Sequence, residues 1–412
     1  MKKSEVPEKW RHMREQTLRV LKARGWWDPR MDKHGSLVPI EKGLCGDIYT
    51  SISYGFERAN EAAEVFEGLR MGNAYPRLSC GTPETWKLSK KILDLELGKN
   101  HPNRDAYDAL VTASGMSATV ALTFAMLPFG SEFISSPYLY GGTYNWFNDF
   151  LPQTGRRCFF VKDPKNLDEW EAMLKCRPMA KFLFWEEDPN PTPFKLDGAG
   201  IVKLAQKYGK LAFCDNTIPT PILNKPLLYG VDGVIESASK NIGGASRGLG
   251  GTLAAKREIV NQIRNSWAVV LGAVMDPRVA DYMLWGIKTL KKRMERKIKN
   301  AEVIAEFLEN DERIKKVHWS GSDLMSFELH GSLDDAKKVV ENFKLILMAP
   351  HLGDDYPLGI HPASTTHSKV PPEERLKLGI SDTLERLSPG LVHPLDVTDD
   401  ISQSLDRVFG EI

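Results

Sequence analysis

The sequence predicts an α/β protein: a mostly parallel sheet flanked by helices, followed by a smaller α+β unit and preceded by an N-terminal arm. Three observations predict it. Between about residues 60 and 256 short apolar runs alternate with amphipathic stretches, the pattern of parallel strands joined by helices. Beyond residue 256 the texture changes to one long helical pattern and then to a strand and a helix. The first 55 residues are polar and only weakly periodic. The expected division is an arm over 1–55 that packs between subunits, an α/β domain over 56–275 that binds the ligand, and an α+β domain over 276–412.

Composition narrows the class. The 412 residues carry 55 Lys+Arg against 54 Asp+Glu, a net charge of +1, and 42% are hydrophobic, so a large core can form without disulfides or metals. Near-neutrality gives no electrostatic reason for a nucleic-acid or anionic-membrane partner. The N-terminus is charged and lacks a signal-like apolar core, and the longest apolar run, 267–275, is about half the ~20 residues a membrane helix needs. The expected location is the cytoplasm. Cys45, Cys80, Cys158, Cys176 and Cys214 are scattered, with no Cys-x-x-Cys pair and no His spaced for zinc, and read as reduced, mostly buried thiols with no metal site.

Taken in order, a helical stretch over 8–24 leads to an irregular segment with Trp26, Trp27 and Pro39, the Trp pair reading as an intersubunit packing anchor. Thr119 onward has helix-like apolar content up to 127. Strands are expected over 133–135, 157–161, 182–185, 211–214 and 233–236, with a helix over 201–207. A long helix follows over 278–308, then a strand over 326–329 and a helix over 333–343. No internal repeat or low-complexity tract interrupts the chain.

Ligands of such sheets bind beyond the carboxyl ends of the strands, so polar residues directly after apolar runs are the candidates. In Ser114-Gly115-Met116 small residues enter a helix and leave free N–H groups, either for a phosphate or as a simple N-cap. Asp215 ends an apolar run, and Ser237-Ala238-Ser239-Lys240 follows 25 residues later. That pair reads as a salt bridge, or as a carboxylate facing a cofactor's pyridinium nitrogen and an amine able to form a Schiff base. Tyr140-Gly141-Gly142-Thr143-Tyr144 and Glu186-Glu187-Asp188-Pro189-Asn190 are loops by their Gly and Pro content.

Together these segments resemble the Cys/Met metabolism (trans-sulfuration) family of pyridoxal-phosphate enzymes: cystathionine synthases and lyases, methionine γ-lyases and O-acylhomoserine sulfhydrylases. Tyr75-Pro76-Arg77, Ser114-Gly115-Met116, the Tyr140 loop, Asn190-Pro191-Thr192, Asp215-Asn216-Thr217 and Ser237-Ala238-Ser239-Lys240 occur in the family's order. Residues 361–367 and 385–390 also resemble it, the former in wording closest to sulfhydrylases. The resemblance implies the type I fold of pyridoxal-phosphate transferases with a seven-stranded sheet. It implies Lys240 as the residue that carries pyridoxal 5'-phosphate and shuttles protons, and Asp215 as partner of the ring nitrogen. Gly115, Met116, Ser237 and Ser239 would bind the phosphate, with Tyr75 and Arg77 completing it from a neighbouring subunit. Tyr140 would stack over the ring and act as acid or base, Asn190 would meet the phenolic oxygen, Glu186 would support the site, and Arg386 would take the substrate carboxylate. A homo-oligomer follows, a tetramer of site-sharing dimers. The implied reaction is γ-elimination or γ-replacement on a homoserine-derived or cystathionine-like amino acid. The alternatives are β-elimination at a C–S bond, or a catalytically silent relative, against which Lys240, Asp215 and Arg386 all stand.

Departures from the family bear on substrate choice. Tyr75-Pro76-Arg77 replaces Tyr-Ser-Arg, and Asp188 stands in the turn before Asn190. Pro350-His351-Leu352-Gly353 replaces a Ser-Leu-Gly segment, exchanging a hydroxyl for an imidazole. Gly142 stands where methionine γ-lyases typically carry a reactive cysteine, which weighs against that activity. His361 and His367 read as structural or surface groups.

Overall fold

A computed structural model describes residues 48–67, 69, 72, 74–79, 81–368 and 370–411. Residues 51–412 form one compact unit. The expected helix over 8–24, the Trp26-Trp27 pair, Cys45 and Cys80 lie outside the described residues.

The larger sheet has seven strands: β1 (Tyr107–Thr112), β2 (Glu132–Ser135), β3 (Arg157–Phe160), β4 (Phe182–Glu186), β5 (Leu211–Asp215), β6 (Gly233–Glu236) and β7 (Gly251–Lys256). Their spatial order is β1-β7-β6-β5-β4-β2-β3, and only β7 runs against its neighbours. All five strands expected between residues 133 and 236 are present. β1 and β7 are additional; Asp108 and Ala109 interrupt the strand signal of β1, and Ala254 and Ala255 dilute that of β7.

The pleat sorts the apolar run of β4 onto two faces. Leu183 and Trp185 join Ala212, Cys214 and Val234 in one buried cluster, which helices α1 (Pro83–Leu97), α3 (Leu167–Cys176), α4 (Gly198–Lys207) and α5 (Pro277–Glu309) cover with Leu88, Ile92, Trp170, Leu174, Ile201, Leu290 and Met294. Phe182 and Phe184 face the other way with Phe213, Ile235 and Leu253, against Ala118, Ala121 and Leu122 of helix α2 (Gly115–Met126). A strand read by both faces must be apolar throughout, which is why β4 shows no alternation in sequence.

A second sheet holds β8 (Ile314–Trp319), β9 (Met325–Leu329), β10 (Leu347–Met348), β11 (Leu358–Ile360) and β12 (Leu384–Ser388), in the order β10-β11-β12-β9-β8. Its apolar face closes on α5, α6 (Leu333–Asn342) and α7 (Pro394–Phe409) through Ile304, Leu308, Phe327, Leu329, Val339, Ile401 and Leu405. Among the described residues no helix is long and apolar enough to cross a membrane.

The thiols only partly match the expectation. Cys158, Cys176 and Cys214 are free, but Cys214 alone is buried; Cys158 is half-buried, and Cys176, last residue of α3, is exposed.

The first residue of β7 fixes the approach of sheet to helix. A side-chain carbon on Gly251 would overlap the backbone carbonyl of Ser114, the residue that caps α2. Gly251→Ala should therefore lower unfolding free energy by about 1–3 kcal/mol, the cost of forced overpacking, in denaturant titration. An unchanged midpoint would show that the contact relaxes freely.

Candidate active site

Three parallel strands end side by side, β4 at Glu186, β5 at Asp215 and β6 at Glu236, with Glu186 opposite Asp215 in the ladder. The chain leaves β6 into Ser237–Lys240, pinned by the Ser237 N–H donating to Thr217 Oγ1 at 2.7 Å and the Lys240 N–H to Ser237 O at 3.1 Å. Glu186, Asp215, Ser237, Ser239 and Lys240 line a cavity of about 210 Å³ together with Gly115, Met116, Tyr140, Asn190 and His351.

At one end stands the start of α2. The Ser114 hydroxyl accepts from the Ser117 N–H and the Ser117 hydroxyl from the Ser114 N–H, while Ala118 donates to the Ser114 carbonyl. The first two amides, Gly115 and Met116, are left over at the positive end of the helix dipole. Gly115 lets Ser237 approach; a Cβ there would lie 3.1 Å from the serine's Cβ. The Ser239 hydroxyl is turned to Gly250, donating to its carbonyl at 3.1 Å and accepting from its N–H at 2.8 Å.

In the middle, Asp215 accepts from the Thr217 N–H at 2.9 Å, yet burial pushes its carboxyl up to about 6. Glu186, buried beside it, is pushed well above the usual carboxylate range by burial and then by the Asp215 charge. It accepts from the Tyr140 N–H at 2.5 Å, so this acid anchors the tyrosine loop. The Tyr140 ring itself is half exposed.

Lys240 forms no ion pair with Asp215 among the described residues, so the salt-bridge reading of the two does not hold. Its Nζ instead lies 2.9 Å from His351 Nδ1. Burial, reinforced by the Arg386 charge, lowers the amine to about 8. Arg386, on β12, is buried and meets no carboxylate among the described residues. Its Nη1 donates to Asn190 Oδ1 at 3.2 Å and its Nη2 to the His351 carbonyl at 2.9 Å, and Nε has no partner among the described residues. Desolvation brings it down to about 10.

Two predicted residues are elsewhere. Tyr75 and Arg77, at the exposed short helix Pro76–Ser79, do not line the cavity; the guanidinium carbon sits 5.6 Å from the tyrosine ring centre. His361 is structural, its ring bonded to Ser364 Oγ and the Asp382 carbonyl. His367 is buried, and burial together with Arg386 and Arg375 presses it down to about 4. Thr217 and Leu352 also line the cavity; Thr217 was visible only as the tail of Asp215-Asn216-Thr217, and Leu352 gave no chemical signal.

Among the described residues the cavity thus offers paired free amides at one end, a carboxylate without a cation in the middle, and an amine without a carboxylate on the wall. Pyridoxal phosphate matches this donor set with its phosphate, ring nitrogen and aldehyde, and these residues define a pyridoxal-phosphate enzyme's site.

The comparisons agree. Residues 41–406 match the family described as Cys/Met metabolism PLP-dependent enzyme. An L-methionine γ-lyase of Fusobacterium nucleatum subsp. nucleatum is 33% identical, over 91% of this chain and 96% of its own. An O-succinylhomoserine sulfhydrylase of Pseudomonas aeruginosa is 31% identical over 87% and 90%. The crystal structure of a Xanthomonas oryzae pv. oryzae cystathionine γ-synthase superposes with a TM-score of 0.79 at 27% identity, covering 92% of this chain and 95% of its own. The chain belongs to the Cys/Met metabolism family, and it is a pyridoxal-phosphate-dependent enzyme of sulfur amino-acid metabolism that carries out γ-elimination or γ-replacement.

The buried Asp215 sets a pH-dependent penalty. With its folded pKa raised to about 6 from 3.8, its contribution to stability is fully present below pH 3.8 and lost as pH rises through 6. Asp215→Asn should stabilise the cofactor-free protein by on the order of 2 kcal/mol at pH 7 and by less at pH 4.5. Denaturant titrations at the two pH values check this; a gap that does not widen with pH would contradict it.

Proposed function

We propose that the enzyme acts on a homoserine-derived or cystathionine-like amino acid, with Lys240 as the residue that holds the cofactor and moves the protons. The single observation that carries this is the Lys240 amine, desolvated to about 8 on the wall of the cavity that Asp215 also lines. When bound, pyridoxal phosphate supplies an aldehyde that captures amino groups and a ring that takes up the electrons released at the substrate's α-carbon.

The chain's own residues do the rest. Lys240 would hold the cofactor and, with its amine free, would take the α-proton on Nζ and deliver it further along the substrate; an amine lowered to about 8 suits both directions. Asp215 would hold a proton on the cofactor's ring nitrogen and find there a cationic partner. The Gly115 and Met116 amides and the Ser237 hydroxyl take the phosphate, and Ser239 joins them by giving up its bond to Gly250. Tyr75 and Arg77 complete that seat from a neighbouring subunit of a homo-oligomer, a tetramer of site-sharing dimers. Tyr140, held through its N–H by Glu186, works as acid or base near the leaving group. Asn190 would hold the cofactor's phenolic oxygen. Arg386 takes the substrate carboxylate as the counterion missing from its surroundings.

Borohydride reduction of the purified protein should fix the cofactor to Lys240, and Lys240→Ala should lose both that adduct and turnover; an adduct on another residue would refute the assignment. A panel of cystathionine, methionine, O-acetyl- and O-succinylhomoserine, with and without a thiol, should give α-ketobutyrate or a thioether by mass spectrometry. Arg386→Ala should raise KM about 10- to 100-fold, as expected for a bond between charged groups; an unchanged KM would remove it from substrate binding.

A further inference from the structure

Among the described residues, the hydrogen-bond partner of the Lys240 amine is a ring nitrogen 111 positions away, His351 Nδ1 at 2.9 Å. The backbone imposes this contact. Gly353, two residues on, adopts φ +77°, and a Cβ there would lie 2.8 Å from the Asn241 N, so the two loops touch main chain to main chain. Lys297 Nζ clasps both, donating to Asn241 Oδ1 at 3.0 Å and the Gly353 carbonyl at 2.7 Å, and Arg386 holds the His351 carbonyl. These contacts hold the backbone that carries the ring beside the backbone that carries the amine, and within that frame the ring meets the amine through Nδ1.

We infer that His351 is a positioning residue for Lys240: its Nδ1 accepts a hydrogen bond from the lysine amine, aims that amine into the cavity whenever it is free of the cofactor, and fixes the imidazole as the Nε2–H tautomer. The inference rests on the reading of Lys240 as the cofactor-bearing lysine. The ring's charged surroundings support the neutral acceptor. Lys240, Arg386 and Lys297 face it with Asp354 the opposing carboxylate, and burial together with those cations presses it down to about 4. A neutral acceptor favours the ammonium over the amine, so His351 opposes the desolvation that lowers Lys240 and helps it keep a proton it has collected. It also leaves Nε2–H as a buried donor in the cavity wall, unpaired among the described residues. A serine, as in the family's usual segment, has no second ring nitrogen to present.

The test is the pH dependence of Lys240 acylation by acetic anhydride in the full-length protein freed of cofactor, read by peptide mass spectrometry. Wild type, His351→Leu and His351→Asn are compared. His351→Leu should lower the midpoint by about one pH unit, the size expected of one bond to a charged group. His351→Asn, whose Oδ1 stands where Nδ1 does, should restore it to within about 0.3 unit. A midpoint unmoved by leucine overturns the inference. Should the leucine variant not fold, wild-type protein with 15N-histidine decides: two-bond 15N–1H spectra should show Nδ1 bare and Nε2 protonated from pH 6 to 8, and the opposite tautomer or a titration near pH 6.5 overturns it. Borohydride reduction of the holoenzyme separates the two claims. An adduct away from Lys240 refutes the cofactor assignment, whereas an adduct on Lys240 with an unmoved midpoint refutes only the role of His351.

Discussion

Taking a charge out of water is tolerated only where something compensates it. Around the carboxyl ends of β4, β5 and β6 the described residues do not supply that compensation: Asp215 is buried beside another acid, Arg386 of β12 is buried without a carboxylate, and Lys240 leans on a neutral ring. Each group is shifted toward its uncharged form by desolvation. A ligand with a cationic ring nitrogen, an electrophilic carbon and a carboxylate supplies all three missing partners at once, and that requirement shapes the rest of the site.

The framework meets it by keeping its polar residues to the edges. β4 devotes both faces to core packing and becomes polar only at Glu186, where its ladder partner is Asp215. The second sheet contributes Arg386 from β12, reaching Asn190 in the loop after β4. The site is thus assembled from segments spread over more than half the chain, each fixed by a strand end, a helix cap or a glycine contact, so little backbone adjustment is left for binding to demand.

Much of this was legible in the sequence because the signals were local. Apolar runs such as 182–185 announced strands, Asp215 followed its run directly, and Ser114-Gly115 marked a helix start, which is observed with Ser114 as the cap and Gly115 as the first residue. β7 was not legible because Ala254 and Ala255 give it little of the bulk that marks a strand, and β1 because Asp108 and Ala109 interrupt its pattern before Leu110. The partner of Lys240 was hidden for another reason. Spacing suggested Asp215, but strand-end proximity does not fix side-chain direction, and His351 arrives through the packing of a distant loop. In the same way, the engagement of the Ser239 hydroxyl with Gly250 depends on how β7 returns beside the turn.

The 33-residue helix α5 lines no part of the cavity, yet its Lys297, Arg293 and Asn300 grip carbonyls from the turn after Lys240, from Gly353 and from Gly390. One rigid rod thereby splices the two sheets' catalytic loops into a single mechanical piece. Adjusting this enzyme to a new substrate is consequently freer in the loops around Tyr140 than along that rod, where even a remote change would be transmitted to both halves of the active site.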